Sequence, residues 1–309
     1  MIVTVTPNPA LDLTYHVDAW RAGASLRVEA PVCRAGGKGL NVARVLAQTG
    51  LLATAVTTVG GAAGAVLRRD LEESGLPHRL VPVHGATRTS VAVVDLAGGE
   101  TTIMNERGSW LSHAERRALF DAATGSLSGA ACLVGSGSLP PGVPAAFYAD
   151  LVRSAHDAGV PAVIDAVGDG LLAAAEAGAD LVKPNRAELE ESTGCPDPAA
   201  GARRLISAGA RIVLVSLGAD GMMAVTRERG LVARFVRVLD GNPTGAGDAA
   251  VAAAASCLAR GEDDPGVILR RATAWSAAAV PVPYAGELCA DYRDFEHLVS
   301  LREGTRECP

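Results

Sequence analysis

The chain has 309 residues, of which 49% are hydrophobic and 20% charged, which is enough for one large core with a small appendage. Its net charge of −6 at pH 7 argues against a basic face for nucleic acid. The six cysteines include no C-x-x-C pair, and the first residues resemble a strand, not a leader or a membrane span, so we expect a cytoplasmic protein with reduced thiols.

Strand patterns are frequent in the N-terminal third. Alternating or β-branched residues predict strands over 13–20, 26–34 and 89–105, the last with a Gly-Gly hairpin turn, and helical patterns cover 39–49, 62–75 and 113–124. We expect a small antiparallel sheet built from two separated segments, about 12–34 and 88–106. This sheet is predicted to act as a lid on a single domain that spans residues 1–309.

Strands and helices alternate through the rest of the chain. Apolar strands are predicted over 130–140, 160–167, 179–185 and 210–221, and helices over 144–159, 187–193 and 249–259. This alternation indicates a mainly parallel sheet with helices on both faces, in which ligands bind beyond the carboxyl ends of the strands. The polar residues predicted at those ends are Ser136, Asp165, Lys183, Asn185 and Ser216.

One short stretch, "GNPTGAGDAAVAAAA" at 241–255, places a glycine-rich turn and one carboxylate before a run of small apolar residues. The run predicts a buried helix, whose N-terminus carries partial positive charge and unpaired N–H groups. Asp248 could simply cap this helix. Alternatively, the turn holds an anion and Asp248 acts on a group beside it. The stretch alone leaves both interpretations open.

Lysine is rare in this chain. Only two of the 28 basic residues are lysines, Lys38 and Lys183, and both lie in motif-like stretches. Codon bias would explain why lysine is rare. The location of both lysines in motif-like stretches instead favours a functional role, in which each position requires a compact ammonium group.

Six motifs occur in order along the chain: "TPNPALD" (6–12), "GGKGLNVA" (36–43), "GSGSLPPG" (135–142), "KPNRAEL" (183–189), "VSLGADG" (215–221) and "NPTGAGDA" (242–249). Together they resemble the ribokinase-like sugar kinases, and more narrowly the phosphofructokinase-B branch. That branch includes 1-phosphofructokinases and tagatose-6-phosphate kinases, and "AGGKGLNVARVLAQTG" looks most like the latter. The resemblance implies a three-layer αβα core with a mainly parallel sheet and a β-sheet lid.

The resemblance also assigns a role to the stretch at residues 241–255. In this family the turn at Gly245, Ala246 and Gly247 forms an anion hole, and the aspartate at position 248 is the catalytic base. Backbone N–H groups would stabilise charge on the transferring phosphate of ATP. Asp248 would accept the proton of the attacking hydroxyl.

The other motifs take binding roles on the same basis. The residues implied to bind the sugar substrate are Asp12, Gly36, Gly37, Lys38, Asn41, Arg88 and Ser136. Those implied to bind the nucleotide are Lys183, Asn185, Glu188, Ser216, Gly218 and Gly221. Glu188 is also expected to influence Mg²⁺ through water. Asp165 either assists near the phosphates or caps the segment before 169–176.

The expected activity is ATP- and Mg²⁺-dependent phosphorylation of a primary hydroxyl of a ketohexose phosphate. Tagatose 6-phosphate and fructose 1-phosphate are the leading acceptors and fructose 6-phosphate the third. A kinase for a free sugar or a nucleoside, and a catalytically silent sensor on this fold, are the alternatives. The chain departs from the family pattern at Asn242 and Pro243, and it lacks a second lid arginine that some 6-phosphofructokinases use.

The sequence of the lid segments also predicts the oligomeric state. The outer face of the lid is predicted to carry Val28, Ala30, Val91 and Val93, and it would be an exposed apolar patch unless another surface covered it. The phosphofructokinase-B branch, which this chain resembles, pairs two lids across a twofold axis. We expect a homodimer in which Arg27 reaches toward the neighbouring sugar site.

Overall fold

The computed structural model describes residues 1–304, so Cys308 lies outside the described residues. Among these residues, ten strands form one large sheet in the order β14-β13-β12-β11-β10-β9-β8-β1-β4-β5. From β5 to β11 the neighbouring strands are parallel, and β12, β13 and β14 extend the sheet with antiparallel pairs. The strands are β1 (Ile2–Thr6), β4 (Ala53–Val59), β5 (His78–Pro82), β8 (Cys132–Ser136), β9 (Ala162–Asp165), β10 (Leu181–Val182), β11 (Ile212–Ser216), β12 (Met222–Val225), β13 (Gly230–Phe235) and β14 (Val299–Glu303).

Helices cover both faces of this sheet and bury two separate apolar cores. Along β1, Ile2 faces one core whereas Val3 and Val5 face the other, as alternating side chains of a strand must. The first core is covered by α1 (Lys38–Gln48), α2 (Gly61–Glu73), α8 (Ala246–Leu258) and α9 (Pro265–Ala278). The second is covered by α3 (His113–Thr124), α4 (Ala146–Asp157), α5 (Asp169–Glu176), α6 (Arg186–Thr193) and α7 (Pro198–Ala208). The predicted three-layer αβα fold is confirmed.

Helix α8 lies deep in the first core because its side chains are small. Every residue from Asp248 to Leu258 is buried, and six of these eleven are alanines. Alanine loses no side-chain entropy in a helix and lets the neighbouring helices α1 and α9 approach closely. The N-terminus of α8 points at the carboxyl ends of the parallel strands, which places its first turn where a ligand is expected.

A second sheet of four strands forms the lid. Its order is β3-β2-β6-β7, with β2 (Ala10–Val17), β3 (Val32–Gly36), β6 (Arg88–Asp95) and β7 (Thr101–Asn105). The prediction of a purely antiparallel lid was wrong, because the central pair of β2 and β6 is parallel. The chain passes through the large sheet between them and returns in the same direction, as parallel pairing requires.

Two further differences concern the predicted elements. The strand expected over 26–34 begins only at Val32, since Pro31 has no N–H for a ladder bond. The predicted elements did not include α7, α9 or the antiparallel extension of the sheet. None of the described helices combines the length and the apolar character that a bilayer span requires.

Candidate active site

A cleft of about 970 Å³ lies between the carboxyl ends of the parallel strands and the lid. The expected site residues that line it are Asp12, Gly37, Lys38, Asn41, Arg88, Asp165, Lys183, Asn185, Glu188, Ser216, Gly245, Gly247 and Asp248. Separate motifs therefore converge on one cavity because parallel strands end at the same edge of the sheet.

Asp248 lies in the first turn of α8 and is 6% exposed. It does not cap the helix, since the N-cap residue is Gly245 and no side-chain cap bond forms there. Instead its Oδ2 accepts a hydrogen bond of 2.8 Å from Nδ2 of Asn41. Burial, with a further contribution from the charge of Asp165, raises the pKa of Asp248 to about 7. A carboxylate with this pKa can take up a proton near neutral pH.

The turn before Asp248 depends on glycine. Gly245 has a φ of +88°, a left-handed conformation that glycine adopts without strain. Gly245 and Gly247 line the cleft, whereas the N–H of Ala246 donates to the carbonyl oxygen of Pro243 at 3.1 Å. The structure thus opens the turn to a ligand at its two glycines and uses the Ala246 amide within the turn.

Asp165 joins the two lysines of the chain. Its Oδ1 lies 3.3 Å from Nζ of Lys38 and 3.8 Å from Nζ of Lys183, and its Oδ2 accepts from the hydroxyl of Ser136 at 3.0 Å. Burial opposes the charge of Asp165, but both ammonium groups and the hydroxyl outweigh it and lower its pKa. Asp165 does not cap the following helix, whose N-cap residue is Gly168.

Asn185 and Glu188 form a capping box at the start of α6. The side chain of Asn185 accepts from the N–H of Glu188 at 2.9 Å, and Oε2 of Glu188 accepts from the N–H of Asn185 at 2.8 Å. The other oxygen of Glu188 lies 3.2 Å from Nζ of Lys38. Burial tends to lower the pKa of Lys38, but the charges of Asp165, Glu188 and Asp248 raise it, which keeps this ammonium charged.

Asp12 lies on the lid side of the cleft. Its burial raises its pKa to about 6 against the charges of Arg88, Arg34 and Arg44. The carboxylate rests over Gly36, where any side-chain carbon would overlap it. Arg88 donates through Nε to the carbonyl oxygen of Asn8 at 3.3 Å and lines the cleft.

Besides Ala246, four of the expected site residues do not line this cleft. They are Gly36, Ser136, Gly218 and Gly221. Ser136 is fully buried and bonded to Asp165, and Gly36 lies beneath Asp12. Gly218 and Gly221 shape the turn after β11, each with positive φ.

Several polar residues that line the cleft were not among the expected site residues. Asn8 and Ser138 line it and are joined by a 3.1 Å hydrogen bond, while Arg107 and Thr244 add a guanidinium and a hydroxyl. Asn8 and Ser138 stand inside two of the recognised motifs, so the motifs themselves carried the signal.

Comparison with known proteins identifies the family that this chain matches. The model of the pfkB family carbohydrate kinases matches residues 6–291. A 1-phosphofructokinase of Xanthomonas campestris is 37% identical over 283 residues, covering 89% of this chain and 89% of that protein. An ATP-dependent 6-phosphofructokinase isozyme 2 of Mycobacterium tuberculosis is 36% identical over 266 residues, covering 84% and 78% of the two chains.

Phosphofructokinase-2 from Escherichia coli has the same fold in two solved states. Its complex with fructose-6-phosphate superposes with a TM-score of 0.86 at 32% identity, covering 96% of this chain and 98% of that one. Its tetrameric inhibited form gives a TM-score of 0.87 with the same identity and coverage.

Proposed function

Because the chain belongs to the pfkB family of carbohydrate kinases, we propose that it transfers the γ-phosphate of ATP to a primary hydroxyl of a ketohexose phosphate. Family membership makes it a phosphotransferase that acts on an alcohol group, with ATP as the donor. The further proposals concern the acceptor, the role of each residue and the assembly.

Fructose 1-phosphate and tagatose 6-phosphate are the proposed acceptors, with fructose 6-phosphate the third. The similarity to a 1-phosphofructokinase supports the first, and the stretch "AGGKGLNVARVLAQTG" supports the second. The similarity to a 6-phosphofructokinase, and to a phosphofructokinase-2 solved with fructose-6-phosphate, supports the third. All three are ketohexose monophosphates with a free primary hydroxyl.

The observation that carries the proposal is the buried carboxylate of Asp248 at the glycine turn of α8. In the proposed step, Asp248 accepts the proton of the acceptor hydroxyl while the hydroxyl oxygen forms a bond to the γ-phosphorus. The bond between that phosphorus and the β,γ-bridging oxygen breaks, and ADP leaves. The glycine turn stabilises the charge on the phosphoryl group in transit.

The two lysines neutralise the donor phosphates. Lys183 is 3% exposed and its ammonium packs against the glycine turn, where a methyl group on Gly247 would lie 3.4 Å from Nζ. Lys38 begins α1 on the acceptor side, yet its ammonium pairs with Asp165 and Glu188. This supports a role for Lys38 at the transferred phosphoryl group, besides the role at an acceptor phosphate expected from the sequence.

A Mg²⁺ ion fits the donor side of the cleft. Mg²⁺ retains several waters and binds through few carboxylates together with substrate phosphates. Glu188 and Asp165 are the carboxylates that line this side, and both already pair with lysine, which favours contact through water. When bound, the ion would neutralise charge on the nucleotide phosphates.

The acceptor is held from the lid side. Asp12 would accept hydrogen bonds from sugar hydroxyls, and Asn41 lines the same cleft and donates a hydrogen bond to Asp248. Arg88 would bind the acceptor phosphate, since its guanidinium is planar and can donate two parallel hydrogen bonds. Burial opposes its charge and lowers the pKa of Arg88, against the charges of Asp12 and Glu106, which favour the charged form.

A panel of acceptors tests the proposal. ADP release would be measured with fructose 1-phosphate, tagatose 6-phosphate, fructose 6-phosphate, free fructose, free tagatose, ribose and adenosine. We expect turnover with at least one of the ketohexose phosphates and a bisphosphate product in equal amount. Turnover confined to free sugars or adenosine, or none with any acceptor, would refute it.

The preference for phosphorylated over free sugars provides a second test. The free sugars lack the charge-assisted contacts to Arg88 and Lys38, so their KM should exceed that of the phosphates by about 100-fold or more. Replacing Arg88 by Met should reduce this preference. Equal kcat/KM for free and phosphorylated sugars would reject the phosphate site.

A homodimer is the proposed assembly. The related phosphofructokinase-2 of Escherichia coli forms a tetramer in its inhibited state, which supports self-association of this fold. The lid of this chain carries the apolar surface that such an association would bury.

A further inference from the structure

Residues 281–288, here called the strap, run between the lid and the glycine turn at residues 245–247, here called the catalytic turn. A side-chain carbon on Gly245 would lie 2.7 Å from Cα of Ala285, so the backbones of strap and turn touch. A side-chain carbon on Gly286 would lie 3.2 Å from Cα of Asn41, the residue that bonds Asp248. The strap therefore packs against both elements that position the catalytic carboxylate.

The far side of the strap is tied to the lid. Arg34 of β3 donates from Nη1 to Oε1 of Glu287 at 2.7 Å. The guanidinium of Arg34 also stacks over the ring of Tyr284, 5.1 Å from its centroid. An ion pair and a cation–π contact together hold one arginine of the lid to the strap.

Arg34 also lies next to Asp12, the residue proposed to bind the sugar hydroxyls. In the ladder of β2 and β3 it is the direct partner of Asp12, so the two side chains leave the same face of the lid. Asp12, Arg34, Thr244 and Tyr284 all line a side cavity of about 70 Å³ next to the main cleft. The lid, the strap and the loop of the catalytic turn meet at this cavity.

We propose that Arg34 and Glu287 are positioning residues that tie the lid to the strap and so align the acceptor with the catalytic turn. This inference rests on the proposed function, because it needs an acceptor bound by Asp12 and activated by Asp248. The pair touches no reacting atom, and it acts through Asp12 on one side and through Ala285 and Gly286 on the other.

Because Arg34 and Glu287 are partly exposed, their positioning role can be distinguished from a contribution to folding stability. The side chains of Arg34 and Glu287 are 19% and 39% exposed, and partly exposed ion pairs contribute little to folding stability. The ion pair of Arg271 and Glu296 is a matched control, with a 2.9 Å distance and side chains 21% and 32% exposed. It joins α9 to the segment before β14 and belongs to no part of the proposed site.

The test compares Glu287→Gln with Glu296→Gln in the full-length enzyme. For Glu287→Gln we expect acceptor kcat/KM to fall about tenfold and the KM for ATP to stay within about twofold of wild type. We also expect faster ATP hydrolysis without acceptor, because a misaligned lid admits water to the transferring phosphate. Glu296→Gln should change none of these, and both variants should show similar, small changes in Tm.

A double-mutant cycle identifies the pair itself. Arg34→Gln with Glu287→Gln should cost little more than Arg34→Gln alone, because Glu287 acts through Arg34 and the Arg34 substitution already removes both contacts to the strap. Tyr284→Leu, which removes the ring under Arg34, should give the same acceptor-specific loss, whereas Tyr284→Phe should retain wild-type kinetics. Kinetics of Glu287→Gln equal to those of Glu296→Gln, or equal increases in both KM values, would overturn the inference. The comparison uses whichever acceptor the wild-type enzyme phosphorylates, so an unexpected acceptor would refute the proposed function without affecting this test.

Discussion

At the residue scale, the environment of Asp248 combines burial with one directed hydrogen bond. We predict that Asp248→Asn keeps the fold and ATP affinity but lowers kcat about 10²–10⁴-fold, because the amide keeps a carbonyl oxygen for Asn41 yet cannot accept the hydroxyl proton. Steady-state kinetics and ATP titration measure the two effects separately. A variant with wild-type kcat would show that Asp248 is not the base.

The pH dependence follows from the same carboxylate. Only ionised Asp248 can take up a proton, so kcat/KM should rise with pH through about 7, the raised pKa of this group. The hydrogen bond from Asn41 favours the charged form, so Asn41→Ala should raise that pKa and move the rise to higher pH.

The measurement is the ratio of kcat/KM between variant and wild type across pH 5.5–9.5. The acceptor phosphate ionises identically for both enzymes, so its contribution cancels in this ratio. We expect a deficit that is larger at low pH than at high pH. A ratio that does not vary with pH would mean that another group controls the acid limb.

Single residues differ in how well the sequence predicts their place. Asn41, Lys183 and Asp248 come together in one cleft because each stands directly after a strand or in the first turn of a helix, which local patterns locate. The double ion pair of Asp165 could not be predicted, because it depends on two lysines from elements 145 residues apart in the chain. Arg34 and Glu287 were missed for the same reason.

At the scale of elements, the first turn of α8 is constrained by both its own backbone and the strap. We predict that Gly245→Ala lowers stability by about 1–3 kcal/mol and kcat by at least about tenfold, since a left-handed φ strains alanine and its methyl group would displace Ala285. Gly50→Ala is the control, because Gly50 has a similar φ of +83° but nothing within 4 Å of the added carbon.

Comparing the two variants separates backbone strain from displacement of the strap. Thermal unfolding should show a loss for both, larger for Gly245→Ala, while steady-state kinetics should show a loss of kcat for Gly245→Ala only. Equal losses of stability with unchanged kcat in both would mean that the contact between turn and strap has no catalytic consequence.

The helices and parallel strands were largely predictable because their patterns are local. Apolar runs and periodic faces placed α1, α3, α4 and β8 within a few residues of their observed ends. The parallel pairing of β2 and β6 was not predictable, because it is decided by how the intervening 70 residues cross the core. The strands β12 to β14 were missed because they are only four to six residues long, and short strands give weak patterns.

At the scale of the whole molecule, the lid has apolar surface that the single chain does not cover. The large apolar side chains exposed on the lid and its connections are Trp20, Val28, Val32, Leu96, Ile103 and Met104. Of the four residues expected on this face, Val28 and Ala30 are exposed, Val91 is half-buried and Val93 is only 8% exposed. The strands β3 and β7 also form the two open edges of the lid sheet.

We predict that this surface forms a twofold interface between two lids. Open strand edges beside exposed apolar side chains favour association with a second copy, which presents the same surface and closes the assembly. Sedimentation at micromolar concentration should give twice the 31.4 kDa mass of the chain. Because the lid also carries Asp12 and Arg88, dilution to monomer should reduce affinity for the acceptor more than affinity for ATP.

Two charge substitutions test where the interface lies. Met104→Glu places a carboxylate on edge strand β7 and should shift sedimentation toward the monomer and raise the acceptor KM. Leu52→Glu changes a side chain that is 75% exposed beside the large sheet, and it should leave both quantities unchanged. An active wild-type monomer, or a dimer that Met104→Glu leaves intact, would exclude the lid as the interface. In that case Arg27, which lies on the exposed connection before β3, could not reach a neighbouring sugar site through paired lids.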